Sequence, residues 1–337
     1  MPGYCKRKIL LPGFLTHQIN HIHMSSSWTL TSIPPHDFYI CLDVDQYFDL
    51  EHEPEQIFEQ GFTRPVPIKE RDVLCTITFN GDPEKPEFHI TSPETLSKAE
   101  IEEANKPLSR ILGTDLDIRP LYDRAAGDPV LDRHLTALYG LKRLSRANFF
   151  EDAMNRIIIA QIRHRPTAKK MVYGVREAYG VRLEHEGGSI SAWPRPHRLV
   201  SADPVSLKKH GLSLRKGEYV IGIADELVSG RTSINQMESL APVDFYERAR
   251  AIRGIGPTTA QDLMMFRNRT DAVFPSETDK GVEKGLRRWI ILSYGGDPDQ
   301  TSENDFLEMI SNWNGFESSA LEFLFVNWVL SEKKKKK

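Results

Sequence analysis

The chain has 337 residues and a mass of 38.5 kDa, with 39% hydrophobic and 27% charged residues and a mean hydropathy of −0.43, enough for two domains with real cores and too polar for a protein built in lipid. No apolar run approaches the roughly 20 residues that a bilayer span needs, and three cysteines, Cys5, Cys41 and Cys75, are too few for a disulfide framework or a four-thiolate metal site and fit a reducing compartment. The net charge of −3 hides an asymmetry: residues 1–130 carry 12 Lys and Arg against 21 Asp and Glu, and the remainder 32 against 26, so a surface suited to a polyanion belongs to the second part.

Residues 1–26 show no sustained periodicity and read as a poorly ordered tail, with Met24 as a second candidate initiator. Short alternating runs follow at Ser27–Thr31, Phe38–Val44, Val73–Phe79 and Phe88–Thr91. They are broken by Pro34-Pro35, by the acidic stretch Asp43–Glu59 and by Gly81-Asp82-Pro83, a pattern that predicts antiparallel strands. Ser97–Leu112 changes to helical spacing and stops at Gly113, a residue that takes the left-handed conformation ending many helices. Residues 27–130 are therefore expected to form an α+β N-terminal domain on an antiparallel sheet.

From residue 131 to 331 strand patterns give out and an all-α domain is predicted. Asn148 followed by Glu151 has the form of a capping box, and Phe149, Phe150, Ala153, Met154, Ile157 and Ile158 share one face. Pro166-Thr167 opens a helix that ends near Gly180, and Asp203-Pro204 opens a short one closed by Gly211. Arg215–Ser229 closes at Gly230, Asp244–Arg253 runs into a very short turn, and Glu317–Leu330 is a last helix whose Phe323, Phe325 and Trp328 read as core. Residues 332–337 form a lysine tail expected to be disordered. The densest basic stretch, residues 141–177, holds Lys142, Arg143, Arg146, Arg156, Arg163, Arg165, Lys169, Lys170 and Arg176, either a phosphate-facing patch or a solvated helix face.

The most informative segment is Ala251-Ile252-Arg253-Gly254-Ile255-Gly256-Pro257-Thr258-Thr259-Ala260, between two helical patterns. The chain can turn at Gly254, bury Ile255 as the anchor of the hairpin and restart at Pro257, presenting the positive end of a new helix outward. Phosphate is the natural guest of such an end, and a side chain at either glycine would hold the backbone away from it. A dinucleotide-binding reading fails for want of a preceding strand. After the second helix comes Asp271-Ala272-Val273-Phe274-Pro275-Ser276-Glu277-Thr278-Asp279-Lys280-Gly281-Val282, a loop with carboxylates leading into another helix.

With these motifs the sequence resembles the helix-hairpin-helix DNA glycosylase superfamily, and within it the alkylpurine, or 3-methyladenine type II, branch. The resemblance spans about residues 145–330. It rests on the phenylalanine-rich helix ending Ala160-Gln161-Ile162, on Asp203-Pro204 with Leu212-Ser213-Leu214-Arg215-Lys216, on the hairpin Gly254 to Ala260, and on Phe274-Pro275 leading to Asp279. It implies a TATA-box-binding-protein-like sheet domain ahead of a helix-hairpin-helix domain, which agrees with the α+β reading at fold level only.

The resemblance also assigns roles. Breaking an N-glycosidic bond leaves positive charge on the sugar, which a fixed carboxylate stabilises; the matching position is Asp279, with Glu277 as a substitute two positions earlier and helix capping as the plain alternative. Relatives that also cut the backbone carry a lysine where this chain has Thr258, so a monofunctional enzyme without lyase activity is implied. Gln161 and Ile162 match the wedge that fills the gap left by an extruded base, with Arg163, Arg165 and Lys169 as phosphate-binding candidates; the plain reading makes Ile162 core. Phe316 falls where the family has an aromatic wall of the base pocket. Asp262 replaces a pocket aromatic, where it either attracts a cationic purine or simply caps the surface of its helix. The lack of cysteine after Cys75 excludes the iron–sulfur cluster of the endonuclease III-like branch.

The expected function is thus base excision repair of double-stranded DNA containing alkylated purines, by a monomer without membrane attachment, in the cytoplasm and nucleoid or in a nucleus. No organic cofactor is implied, although a structural monovalent cation on hairpin carbonyls is common in such motifs. Two alternatives stay open: a non-catalytic DNA-binding module, and a glycosylase for oxidised or deaminated bases.

Overall fold

The computed structural model describes residues 26–48, 56–58, 60–69, 71–185, 188–276 and 285–335. The N-terminal part holds β1 (Ser26–Thr31), α1 (Phe38–Phe48), β2 (Gln56–Phe58), β3 (Gly61–Ile68), β4 (Arg71–Phe79), β5 (Glu87–Ser92) and α2 (Lys98–Leu112). Its strands make one antiparallel sheet in the order β1-β5-β4-β3-β2. The tail expected over residues 1–26 lies outside the described residues except for Ser26, which begins β1.

Two corrections apply here. Phe38–Val44, expected as a strand, is helical: the Asp37 carboxylate accepts from Tyr39 N and Ile40 N at the start of α1, and Phe38, Cys41 and Leu42 are buried on one face at helical spacing. Aromatic and β-branched content suggests strand where burial spacing dictates helix. Conversely β3 escapes the strand pattern because Pro65 and Pro67 interrupt it. Both lie opposite β4, at Leu74 and Asp72, and among the described residues β2 pairs with Gly61–Thr63. The α2 reading holds, with Gly113 at φ +69° ending the helix, and the structure adds a capping box of Ser97 and Glu100 at its start.

The chain continues through α3 (Arg119–Arg124), α4 (Asp132–Leu135), α5 (Phe149–Ile159), α6 (Arg165–Tyr179), β6 (Arg182–His185), β7 (Gly188–Ser191), α7 (Pro196–Leu199), α8 (Pro204–Leu207), α9 (Leu214–Val228), α10 (Ile234–Ser239), α11 (Pro242–Arg250), α12 (Pro257–Met265), α13 (Leu286–Ser293), α14 (Glu303–Met309) and α15 (Glu317–Lys335). An antiparallel sheet followed by a mostly helical body is the fold class that the sequence predicts. The body is not purely helical, since β6 and β7 pair as a small hairpin, too short for their alternation to stand out. The last helix runs through Lys335, so Lys333–Lys335 are helical and not the disordered tail expected. Phe323 is fully buried, Phe325 stacks edge-on with Trp289, and the side chain of Trp328 lies outside those described.

The N-terminal end of α5 joins the sheet region to the helical body through buried charge. Asn148 caps the helix by accepting from Glu151 N, but the Glu151 carboxylate returns to Ala147 N (3.1 Å) and faces Arg64 of β3 at 3.8 Å. Asp152 accepts from Arg110 of α2 (2.7 Å) and lies 3.4 Å from Arg146, while Arg110 also pairs with Glu238 at 2.9 Å. All but Glu238 of these ionic side chains are buried, an arrangement that is tolerable only because each charge meets an opposite one.

Candidate functional site

The opposite end of α5 is open to solvent. The helix stops at Ile159, Ala160 leaves it with ψ 130°, and Gln161 takes φ +63°, a left-handed conformation unusual for a residue with a Cβ. Gln161 is exposed, and Ile162 is half-buried against the core. Such a turn leaves helix-end carbonyls without partners. Lys216, in the first turn of α9, supplies them: its Nζ donates to Ile158 O and Ala160 O at 2.7 Å each, and partial burial holds its pKa below the usual lysine value.

Three residues further along α9, Tyr219 supports the hairpin. Gly254 has φ +100°, and a Cβ there would stand 2.4 Å from the Tyr219 ring, so both conformation and space require glycine. Ile255 is buried and donates to Ile252 O. Gly256, Pro257 and Thr258 are exposed, and no side chain caps α12, whose first residue is Pro257. The first N–H groups of α12 therefore have no helical partner. Helix α11 ends at Arg250 rather than Arg253, making the connection longer than the very short turn expected. Arg215 and Arg253 both lie over the Tyr219 ring, 5.7 Å from its centroid. The turn at Ala160–Ile162 and the hairpin are thus both held against the N-terminal part of α9, by Lys216 and Tyr219.

A cation at the hairpin would meet main-chain oxygens of the turn, and neutral carbonyls suit an alkali ion. From the hairpin, α12 leads to a second cluster. Gln261 Nε2 donates to Val273 O (3.3 Å), and Phe274 packs edge-on against Trp313 and Phe306. The next turn is tied to the same segment: Thr270 Oγ1 donates to Gly315 O (2.8 Å), Ser318 N to Thr270 O (2.8 Å) and Ala272 N to the Glu317 carboxylate (3.2 Å). That network places Phe316, half-buried, in the turn tied to Thr270 and Ala272. Asp279 and Glu277, with Lys280-Gly281-Val282, lie outside the described residues. Asp262 is half-buried in the second turn of α12.

The basic stretch divides. Lys142, Arg146 and Arg176 are buried, and Arg143 and Arg156 are half-buried over the Phe266 ring. Lys142 donates to Ile33 O (2.7 Å), and burial lowers its pKa to about 8; Arg176 donates to Ser191 O. These five do not make a phosphate-facing patch. Arg163, Arg165 and Lys170 are exposed and Lys169 is half-buried, all at the start of α6 beyond the wedge turn. Sequence reasoning misses Lys216, Tyr219 and Arg124. The helical spacing of Lys216 and Tyr219 could suggest a shared role; nothing in the sequence pairs Arg124 with Phe316. A cavity of about 580 Å³ lies elsewhere, between the sheet region and the N-terminal end of α5, lined by Asp72, Asn148, Trp193 and Glu238 among others.

No protein-family model matches the chain. Among curated proteins it is similar to the DNA-3-methyladenine glycosylase of Bacillus subtilis, 27% identical over 224 residues, which are 66% of this chain and 72% of that one; two further relatives are matched over 54% and 56% of their own lengths. The fold is shared with a 3-methyladenine DNA glycosylase from Archaeoglobus fulgidus, TM-score 0.70 and 21% identity over 89% of this chain and 97% of that one. It is also shared with a Clostridium acetobutylicum 8-oxoguanine glycosylase/lyase in complex with double-stranded DNA, TM-score 0.66 and 15% identity over 92% and 99%. Among the described residues no helix is long and apolar enough to cross a membrane.

Proposed function

We propose that this chain, which belongs to the helix-hairpin-helix DNA glycosylase superfamily and its DNA-3-methyladenine glycosylase branch, is a monofunctional glycosylase that removes alkylated purines from duplex DNA. The observation that carries the reading is the common seat of the wedge turn and the hairpin on α9, through Lys216 and Tyr219. A phosphate on the open end of α12 would anchor one strand while Gln161 and Ile162 enter the stack nearby, which base extrusion requires. Exposed Arg163 and Arg165, with Lys169, extend the phosphate-binding surface on the side of the wedge.

In the reaction the C1′–N bond breaks with its electron pair leaving on the base, and the carboxylate of Asp279 stabilises the oxocarbenium ion that remains. Water adds to C1′ and loses a proton, giving an abasic site. Thr258 offers no amine for a Schiff base, so the backbone stays intact. Phe316 walls the base pocket and Asp262 lends it negative charge. A monovalent cation on the hairpin carbonyls would be structural.

The test is free-base release from methylated duplex DNA by wild type and by Asp279→Asn, with strand breaks scored before and after alkali. Methylpurine release by wild type, reduced about 10²-fold or more in the variant, and nicks only after alkali are expected. DNA binding without any release by wild type would leave a binding module as the better account.

A further inference from the structure

Arg124 ends α3, some 190 residues before the turn that presents Phe316, and it is exposed. Its guanidinium carbon nevertheless lies 5.3 Å from the centroid of the Phe316 ring, and its Nη1 donates to the Asn314 carbonyl in the same turn. The turn has little freedom, since Gly315 N donates to the Glu317 carboxylate and Gly315 O accepts from Thr270. A full positive charge is therefore held on the Phe316 ring.

We infer that Arg124 is a specificity-determining residue, which offsets the attraction of the pocket for cationic purines and admits neutral purines bearing a carbonyl oxygen. The inference rests on the glycosylase reading, in which Phe316 walls the base pocket. An aromatic face attracts a cation through its quadrupole, and here that face already has one. Whether an extruded base meets the ring beside the guanidinium or the guanidinium itself, its neighbour is positively charged. A purine made cationic by alkylation is repelled at contact distance, well inside the Debye length, where salt screens the repulsion only in part. A neutral 6-oxopurine meets no repulsion and presents an acceptor to the guanidinium, which has five N–H donors and spends one on Asn314. Removing the charge should therefore tilt the pocket toward cationic bases, and replacing arginine by lysine should largely preserve the balance.

The experiment measures equilibrium binding of duplexes that carry one 2′-fluoro nucleotide, either 7-methylguanine, which is cationic, or hypoxanthine, which is neutral. The fluorine disfavours the oxocarbenium ion, so binding is read without base loss. In wild type the two lesions should bind with similar affinity. In Arg124→Met the ratio should shift about tenfold or more toward 7-methylguanine, and in Arg124→Lys by no more than about threefold, with the thermal midpoint unchanged in both. A ratio in Arg124→Met within twofold of wild type would overturn the inference. An equal shift in the Met and Lys variants would also overturn it, because charge would not be the cause. Base release from the corresponding unfluorinated duplexes by wild type tests the glycosylase reading separately, so the two can fail independently.

Discussion

Helix α5 ends in opposite environments. At its N-terminal end Arg64, Arg110, Arg146, Glu151 and Asp152 are buried and set against one another; at its C-terminal end, about 16 Å away for a helix of this length, Gln161, Arg163 and Arg165 face solvent. Both ends are polar, and both lie in or beside the basic stretch that composition singles out. The difference lies in exposure. Buried charges must be matched within the chain, so the first end is structural, whereas the exposed side chains at the second stand where a partner can reach them.

Asp152→Ala should give the largest effect, because it removes the buried carboxylate that Arg110 and Arg146 share. Loss of one partner from a buried network costs about 3–5 kcal/mol, which urea unfolding would register, and a loss below about 1 kcal/mol would break the claim that this end is structural. Glu151 gives a graded test of the same end. Burial, outweighing the attraction of Arg64 and the hydrogen bond from Ala147, raises its pKa to about 7 from 4.5. The folded chain then binds a proton between those values more readily than the unfolded one, so the contribution of this group to stability declines as pH rises from about 4.5 to 7 and is level beyond. Glu151→Gln keeps an oxygen for Ala147 N and should abolish the decline, gaining on wild type by on the order of 2–3 kcal/mol between pH 5 and 8. Parallel stability profiles would show that Glu151 stays ionised.

How far the sequence reveals these ends depends on the range of the signals. Caps and turns act within a few residues, so Ser97 with Glu100, Asn148, Asp203, Gly211 and the Gly254–Pro257 hairpin are legible in the amino-acid order alone. The N-terminal sheet is legible as a class but not in its members: α1 has strand-like composition, and β3 contains two prolines that interrupt its strand pattern. Long-range pairs leave no mark on local sequence, which is why Lys142, Arg146 and Arg176 group by composition with exposed cations and why nothing near Arg124 points to Phe316. The wedge turn lies between these cases, its residues named by resemblance and its support by Lys216 visible only in three dimensions.

The two hairpin glycines carry the comparison down to single residues. Gly254 serves the fold, since a methyl group there meets the Tyr219 ring at 2.4 Å with φ held at +100°. Gly254→Ala should cost about 1–3 kcal/mol in unfolding free energy and weaken duplex binding as a consequence of the displaced turn. Gly256 has extended backbone, φ −86° and ψ 177°, and a Cβ on it meets nothing within 4 Å, so Gly256→Ala should leave stability within about 0.5 kcal/mol of wild type. Its purpose must then lie in what approaches from outside. If a phosphate oxygen sits on the first N–H groups of α12, the added methyl obstructs it and duplex affinity falls about tenfold at unchanged stability. Wild-type affinity in Gly256→Ala would move the phosphate away from the hairpin and assign the grip on DNA to Arg163, Arg165 and their neighbours, leaving the Gly254 turn a purely structural connection.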